Sequence, residues 1–141
     1  MNESLIVIIF DSNFFLLPAQ SKLDIYSEID RLLPEPVQII IYQVLFTELE
    51  LKISKLPPNT KLAREYRLAR ELLHRHPHRL ISTPTEVPGY VDDFLLQEAH
   101  RWQEEGHHVY LATIDRELRK KARAAQISTL FARNHNTLEI A

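Results

Sequence analysis

The sequence predicts a single α/β domain, residues 1–141, in which a central and mostly parallel sheet lies between two layers of helices. Short runs rich in Ile, Val and Leu carry no polar alternation, which is typical of parallel strands buried on both faces. These runs alternate with segments of helical periodicity, as they do in sheets covered by helices. The length of 141 residues suits one domain with a sizeable core.

The first three predicted elements are a strand, a helix and a second strand. Residues 5–10 are six apolar residues, three of them Ile and one Val, and this run is too short for an isolated helix. Residues 22–33 carry apolar side chains at helical spacing, with acids and bases on the other face. Pro34 and Pro36 end that pattern, and residues 37–42 are again a short apolar run that predicts a strand.

Two helices and a short strand are predicted next. A helix begins at residue 43 and is closed by the proline pair at residues 57–58. Asn59 and Thr60 can cap a further helix that runs to about residue 74 and is the most basic in the chain. Around residues 80–82 a short strand is expected.

The remaining elements continue the alternation of strands and helices. A proline-rich turn around Pro84, Pro88 and Gly89 leads to a helix that starts at Asp92 and ends at Gly106, since glycine is a common helix stop. After it we expect a strand at residues 109–113, a helix at residues 116–125, a strand at residues 127–131 and a last short element at residues 138–140.

The composition excludes several classes of function. With two glycines, the chain lacks a glycine-rich phosphate loop, which argues against a P-loop NTPase and a dinucleotide-binding domain. The absence of Cys excludes disulfides, thiol catalysis and Cys-ligated zinc. A formal net charge of -2 is not that of a passive nucleic-acid binder. The first apolar run cannot span a bilayer and has no signal-peptide features, so we expect a cytoplasmic protein without membrane contact.

Four acids stand where a parallel sheet would place a ligand. Asp11 directly follows the first strand and Asp115 follows the strand at residues 109–113, while Asp92 begins a helix and Glu48 lies within one. Because ligands bind beyond the carboxyl ends of parallel strands, these side chains could converge there. Converging carboxylates would repel one another unless Mg²⁺ or Mn²⁺ neutralised them. Such a site can hydrolyse a phosphodiester, although Asp11 could instead serve only as a helix cap.

Four short motifs resemble those of the PIN-domain nucleases, in the same order and across nearly the whole chain. They are the first strand with Asp11-Ser12-Asn13, VLFTELE at residues 44–50, VDDFLL at residues 91–96 and LATIDREL at residues 111–118. The resemblance implies a PIN-like three-layer α/β/α sandwich and a metal-dependent ribonuclease activity. It also implies a site of four acids that bind Mg²⁺ or Mn²⁺, carried over by motif position as Asp11, Glu48, Asp92 and Asp115.

Within that family, two segments look more like one branch than another. Residues 22–33 and 134–139 resemble the archaeal and eukaryotic members linked to small-subunit ribosomal RNA processing more than the VapC-type toxins. The chain departs from some of those relatives because it has no Cys and therefore no zinc ribbon.

Two pairs of neighbouring acids leave a choice of ligand. We prefer Asp92 from its place in the motif and keep Asp93 as an alternative metal ligand or a cap. Glu48 is preferred to Glu50 because residues two apart on a helix lean towards different faces, so that Glu50 is expected in solvent.

Further residues could support such a site. Asn13 and Thr113 could orient the carboxylates through hydrogen bonds, although turn chemistry and strand propensity explain them equally well. The basic helix at residues 64–75 and a cluster of cations could contact the RNA backbone. That cluster comprises Arg116, Arg119, Lys120, Lys121 and Arg123. The histidines at positions 74, 76 and 78 do not predict a zinc site, because Pro77 interrupts any helix and zinc ligands usually come from separated segments.

The sequence supports three candidate functions. The leading one is a metal-dependent endoribonuclease that hydrolyses RNA, with ribosomal RNA processing as its candidate role. The second is a catalytically weak PIN-like scaffold that binds RNA or a ribosome-assembly partner. The third is a VapC-type toxin ribonuclease held silent by an antitoxin-like protein. A second copy of the chain, in a homodimer, is a further candidate partner.

Overall fold

The computed structural model describes residues 4–83, 90–134 and 136–141. Its helices and strands follow one another as β1 (Ile6–Phe10), α1 (Ser12–Ser21), α2 (Ile25–Leu32), β2 (Val37–Tyr42), α3 (Gln43–Ser54), α4 (Lys61–His74), β3 (Arg79–Ile81), α5 (Val91–Glu104), β4 (His108–Ala112), α6 (Arg116–Ala124), β5 (Ser128–Arg133) and β6 (Thr137–Ile140). The described strands form one sheet in the order β3-β2-β1-β4-β5-β6.

The sheet is parallel except at one edge. Strand β1 lies at its centre and pairs in parallel with β2 and β4, so that Ile8 stands opposite both Ile39 and Tyr110. Strands β3 and β5 extend the parallel arrangement outwards, and β6 pairs antiparallel with β5. The winding of the chain reverses between β1 and β4, and this is the place where open α/β sheets form a ligand crevice. The carboxyl ends of both strands meet there.

Two hydrophobic cores cover the two faces of the sheet. Along β1, Ile8 and Phe10 belong to the core formed with α1, α2, α3 and α4, whereas Val7 and Ile9 belong to the core formed with α5 and α6. This division follows from the two-residue period of a strand. All four side chains are fully buried. The three-layer α/β/α arrangement predicted from the sequence is confirmed.

Helix α1 is the main difference from the sequence-based prediction, which placed no helix at residues 12–21. Its residues 14–17 are all buried, so the apolar run shows none of the periodicity that reveals a helix with an exposed face. Pro18 lies inside the helix although proline usually ends one. Lys22 then ends the helix in the left-handed conformation, with φ 61°.

Smaller differences concern the ends of elements. Helix α2 begins at Ile25 because Asp24 caps it, accepting a hydrogen bond from the Ser27 N–H. The last short element is strand β6, and the Glu28 carboxylate of α2 accepts a hydrogen bond from its Leu138 N–H. The proline-rich turn around Pro84, Pro88 and Gly89 lies outside the described residues.

Among the described residues, no helix combines the length and the apolarity that crossing a bilayer requires.

Candidate active site

Asp11 lies at the carboxyl end of the central strand, where its position is fixed by hydrogen bonds. Its N–H donates to the carbonyl of Ala112 at 2.9 Å, which joins the ends of β1 and β4. The Ser12 N–H donates to Oδ1 and the Thr113 hydroxyl donates to Oδ2, both at 2.8 Å. Asp11 is 6% exposed. Burial raises the pKa of its carboxyl, the two hydrogen bonds oppose that rise, and the charges of Asp92 and Asp115 add to it.

Thr113 and Asn13 connect Asp11 with the start of α6. The fully buried Thr113 hydroxyl donates to Asp11 and accepts a hydrogen bond from the Asp115 N–H at 3.1 Å. The side-chain oxygen of Asn13 accepts a hydrogen bond from the Ile114 N–H at 3.0 Å and lies 3.3 Å from the Thr113 hydroxyl. The two side chains therefore hold the turn after β4 against the end of β1.

The other three acids come from three further places around the same edge of the sheet. Asp115 caps α6, with Oδ1 accepting hydrogen bonds from two N–H groups of its first turn. Glu48 projects from α3, and its pKa is raised by partial burial and then by the charges of Asp11 and Asp92. Asp92 lies in the first turn of α5, and its pKa is raised by partial burial and by Asp115, while Lys121 lowers it. The four acids thus act on one another electrostatically.

A divalent cation fits the chemistry of these donors. Within residues 4–83, 90–134 and 136–141, no three His, Asp or Glu side chains stand close enough to form a ready-made metal cage. Mg²⁺, however, usually keeps several waters and takes one or two carboxylates together with substrate phosphate oxygens. Burial and mutual repulsion both oppose ionisation of Asp11, Glu48 and Asp92, and a bound cation would offset both.

The neighbouring acids face different surroundings. The Asp93 side chain is 51% exposed, and its Oδ1 lies 4.0 Å from the Lys121 ammonium. Glu50 accepts hydrogen bonds from the Tyr66 hydroxyl and from Arg70 Nη1, the latter at 3.4 Å, so it is anchored to α4. The expectation that Glu50 is in solvent is met only in part, since its side chain is 54% exposed but has these partners. The charge of Asp93 also raises the pKa of Asp92.

The predicted cationic cluster divides into two groups. Lys121 faces the acids, where it lowers the pKa of Asp92. The other four cations line a separate cavity of about 170 Å³ beside β5, together with Thr129 and Ala141. These four are Arg116, Arg119, Lys120 and Arg123. The guanidinium of Arg119 lies 4.2 Å from the centroid of the Phe131 ring, which holds it in place.

Two arginines of the basic helix α4 and one histidine near its end make contacts within the protein. Arg64 Nη1 donates to the Asn59 carbonyl at 2.6 Å, and Arg70 lies over the Phe46 ring at 4.2 Å. His76 stacks on Tyr26 with ring centroids 3.9 Å apart. Arg64 and Arg70 are thereby held in place, and both remain exposed.

Tyr90 is an exposed residue close to Asp92 along the chain, and it was not singled out from the sequence. It is the N-cap residue of α5 and lies two positions before Asp92. Its side chain is 80% exposed. An aromatic residue just before the acid of the VDDFLL motif is the sequence signal that could have identified it.

Comparisons with solved structures place the fold among known ones. The PIN domain endonuclease Utp24 superposes with a TM-score of 0.70 at 22% identity, covering 95% of this chain and 90% of that one. A domain of a functionally unknown protein from Methanocaldococcus jannaschii DSM 2661 gives 0.60 at 18%, covering 90% and 91%. VapBC2 from Rickettsia felis, bound to a DNA fragment from its promoter, gives 0.52 at 14%, covering 90% and 99%. At these identities the likeness establishes the fold alone.

The sequence itself gives the family. No curated protein matches it. A family model described as a PIN-like domain matches residues 8–135, a span that includes all four acids. The resemblance found in the sequence motifs is therefore confirmed, and the chain belongs to the PIN-like domain family.

Proposed function

We propose that this protein is a divalent-metal-dependent endoribonuclease that cleaves RNA at a site formed by Asp11, Glu48, Asp92 and Asp115. Four different segments bring these acids to the carboxyl edge of the sheet. The observation that carries the proposal is that the acids interact electrostatically there. Membership of a family whose members are generally nucleases supports the same function.

Asp11 and Asp115 keep oxygen lone pairs that are free to coordinate a cation. Each carboxylate oxygen has about two lone-pair directions. Each Asp11 oxygen uses one of them, for Ser12 or Thr113. Asp115 accepts its two N–H groups through Oδ1, which leaves Oδ2 for a ligand. Both side chains could therefore hold a cation without giving up the hydrogen bonds that position them.

When bound at these acids, Mg²⁺ or Mn²⁺ would supply Lewis-acid activation of water and neutralisation of the phosphate. The chain itself provides the rest of the site. Thr113, with the Ser12 N–H, fixes the direction of the Asp11 carboxylate. Lys121 reduces the local negative charge and would thereby ease the approach of a polyanion. Along α6, the cavity formed by Arg116, Arg119, Lys120 and Arg123 offers a contact for the RNA backbone.

Ribosomal RNA processing is the role we favour for this activity. The resemblance of residues 22–33 and 134–139 to members linked to small-subunit ribosomal RNA supports it. A ribosome-assembly protein is then the expected partner and the cytoplasm the expected location, while a homodimer stays a prediction.

A scaffold that binds RNA without cutting it is the second candidate. The observation in its favour is that no ready-made metal cage forms within the described ranges. In that case RNA binding would be indifferent to Mg²⁺ and to substitution of the acids.

Removal of the metal separates the two functions. A labelled stem-loop RNA is incubated with the protein in Mn²⁺, in Mg²⁺ or in EDTA, and the products are resolved on a gel. We expect cleavage in either metal and none in EDTA, with activity restored by excess Mn²⁺, because the carboxylates alone cannot activate water. Equal cleavage in EDTA would contradict the metal dependence. RNA binding without cleavage under every condition would favour the scaffold.

A further inference from the structure

Tyr90 differs from every other tyrosine in the chain. Its ring is 80% exposed, whereas the other four tyrosines are at most 9% exposed. Those four are Tyr26, Tyr42, Tyr66 and Tyr110. The Tyr90 carbonyl accepts a hydrogen bond from the Phe94 N–H at 3.1 Å, so the backbone that carries the exposed ring is fixed to the first turn of α5.

The backbone that carries the exposed ring is close to one of the acids along the chain. Asp92 is two residues further along the chain, so its Cα lies within about 7 Å of the Cα of Tyr90. Asp92 in turn acts electrostatically on Asp11 and is acted on by Asp115. Next to it, Asp93 lies 4.0 Å from the ammonium of Lys121. A nucleotide held at Asp92 through its phosphate would therefore lie close to the backbone that carries the exposed Tyr90 side chain.

We propose that Tyr90 positions the substrate by stacking on a base next to the cleaved phosphate. This role rests on the proposed nuclease function and adds to it a contact that the four acids cannot supply. Every base presents a π face, so stacking on an aromatic ring holds a strand with little regard to its sequence. The phenol hydroxyl is not needed for stacking, and a phenylalanine should serve as well as the tyrosine.

A single exposed hydrophobic side chain is common on protein surfaces and needs no function. Leu68 on α4 is such a residue, 44% exposed and separate in sequence from all four acids. It therefore provides the matched control for truncation of an exposed side chain. The proposal requires that Tyr90→Ala impair RNA cleavage more than Leu68→Ala does. The two variants should have similar free energies of unfolding.

The first experiment compares steady-state cleavage of the labelled stem-loop RNA in Mn²⁺ by four proteins. We expect Tyr90→Ala to raise KM by roughly five- to 150-fold, the range that the loss of one stacked base represents, with kcat within a few-fold of wild type. Tyr90→Phe and Leu68→Ala should behave as wild type. A KM for Tyr90→Ala equal to that of the wild type would overturn the stacking role and leave the nuclease function standing.

A second experiment removes the base instead of the ring. Once the cleaved bond is mapped, an abasic nucleotide is placed on either side of it. At one of the two positions, the abasic nucleotide should raise the KM of the wild type about as much as Tyr90→Ala raises KM on the intact RNA. It should raise the KM of Tyr90→Ala little further. Additive increases in KM at both positions would contradict stacking. If the wild type cleaves no RNA in Mn²⁺, the proposed function fails, and the stacking role fails with it.

Discussion

Asp11→Asn is expected to abolish cleavage of RNA while the protein stays folded. The amide has no negative charge, so it binds a divalent cation weakly and cannot align an activated water. The Lewis-acid contribution of a catalytic metal amounts to several kcal/mol, and each 1.36 kcal/mol is tenfold in rate. We therefore expect a loss on the order of 10³-fold in kcat/KM, measured on the labelled stem-loop RNA in Mn²⁺.

The fold should tolerate this substitution. Asn caps helices about as well as Asp, and its side-chain oxygen can still accept the Ser12 N–H. Because burial raises the pKa of Asp11 above its unfolded value, the stability of the metal-free protein falls as pH rises from that unfolded value through the folded one. The amide removes this ionisation. At neutral pH, the free energy of unfolding of metal-free Asp11→Asn should accordingly equal or exceed that of the wild type in urea titrations.

Asp24→Asn is the matched control. Like Asp11, Asp24 caps a helix through its side chain, but it is exposed, and the hydrogen bonds from Ser27 lower its pKa. Loss of a capping carboxylate is thus common to both variants, whereas loss of a buried acid belongs to Asp11→Asn alone. Cleavage should survive in Asp24→Asn. Equal losses in the two variants would mean that capping, and not metal chemistry, explains the effect.

The second large effect is expected from Asp92→Asn, set against Asp93→Asn. Asp92 interacts electrostatically with Asp115 and Asp11, whereas Asp93 is half exposed and lies near Lys121. We expect Asp92→Asn to lower kcat/KM by about 10²- to 10³-fold, by the same reasoning as for Asp11. Asp93→Asn should stay within a few-fold, since an exposed ion pair contributes little.

The two residues lie side by side in the first turn of α5, and both substitutions remove one negative charge, so their effects on the interaction with the helix dipole are comparable. They differ in burial, since Asp92 is partly buried and Asp93 is half exposed. If Asp93→Asn were the inactive variant, the ligand would be Asp93, and the preference for Asp92 taken from the motif would be wrong.

Much of the fold could be predicted because buried parallel strands leave a clear signal. The strands that begin at Ile6, Val37 and His108 all appear in the sequence as short apolar runs. Helix α1 could not be found in this way. It is covered by the sheet on one side and by α4 on another, so its four buried residues form a continuous run, and Pro18 further conceals the helix.

From the sequence, Asp11 could be either a helix cap or a site residue, and in the structure these two roles are compatible. One carboxylate oxygen accepts the hydrogen bond from Ser12, while the other is held by Thr113 towards the end of β4. The position of Asp11 could be predicted from the strand that precedes it. The contact with Thr113 could not, because it joins residues 102 positions apart.

The division of the cations on α6 was within reach of the sequence. Arg116, Arg119, Lys120 and Arg123 stand at the i, i+3, i+4, i+7 positions of one helix face, and Lys121 falls outside that set. Proximity along the chain groups all five, whereas the helical period separates them. That Lys121 turns towards the acids additionally depends on where α5 packs, which local sequence does not determine.

Binding of Mn²⁺ at neutral pH, followed by electron paramagnetic resonance, tests most directly the claim that the four acids form one metal site. The wild type and Asp24→Asn should bind the ion equally, and Asp11→Asn should bind it at least about tenfold more weakly. For the wild type, affinity should fall as the pH is lowered, since protons compete for carboxyls whose pKa is raised. Equal affinity of the wild type and Asp11→Asn, or no binding by the wild type, would contradict the account.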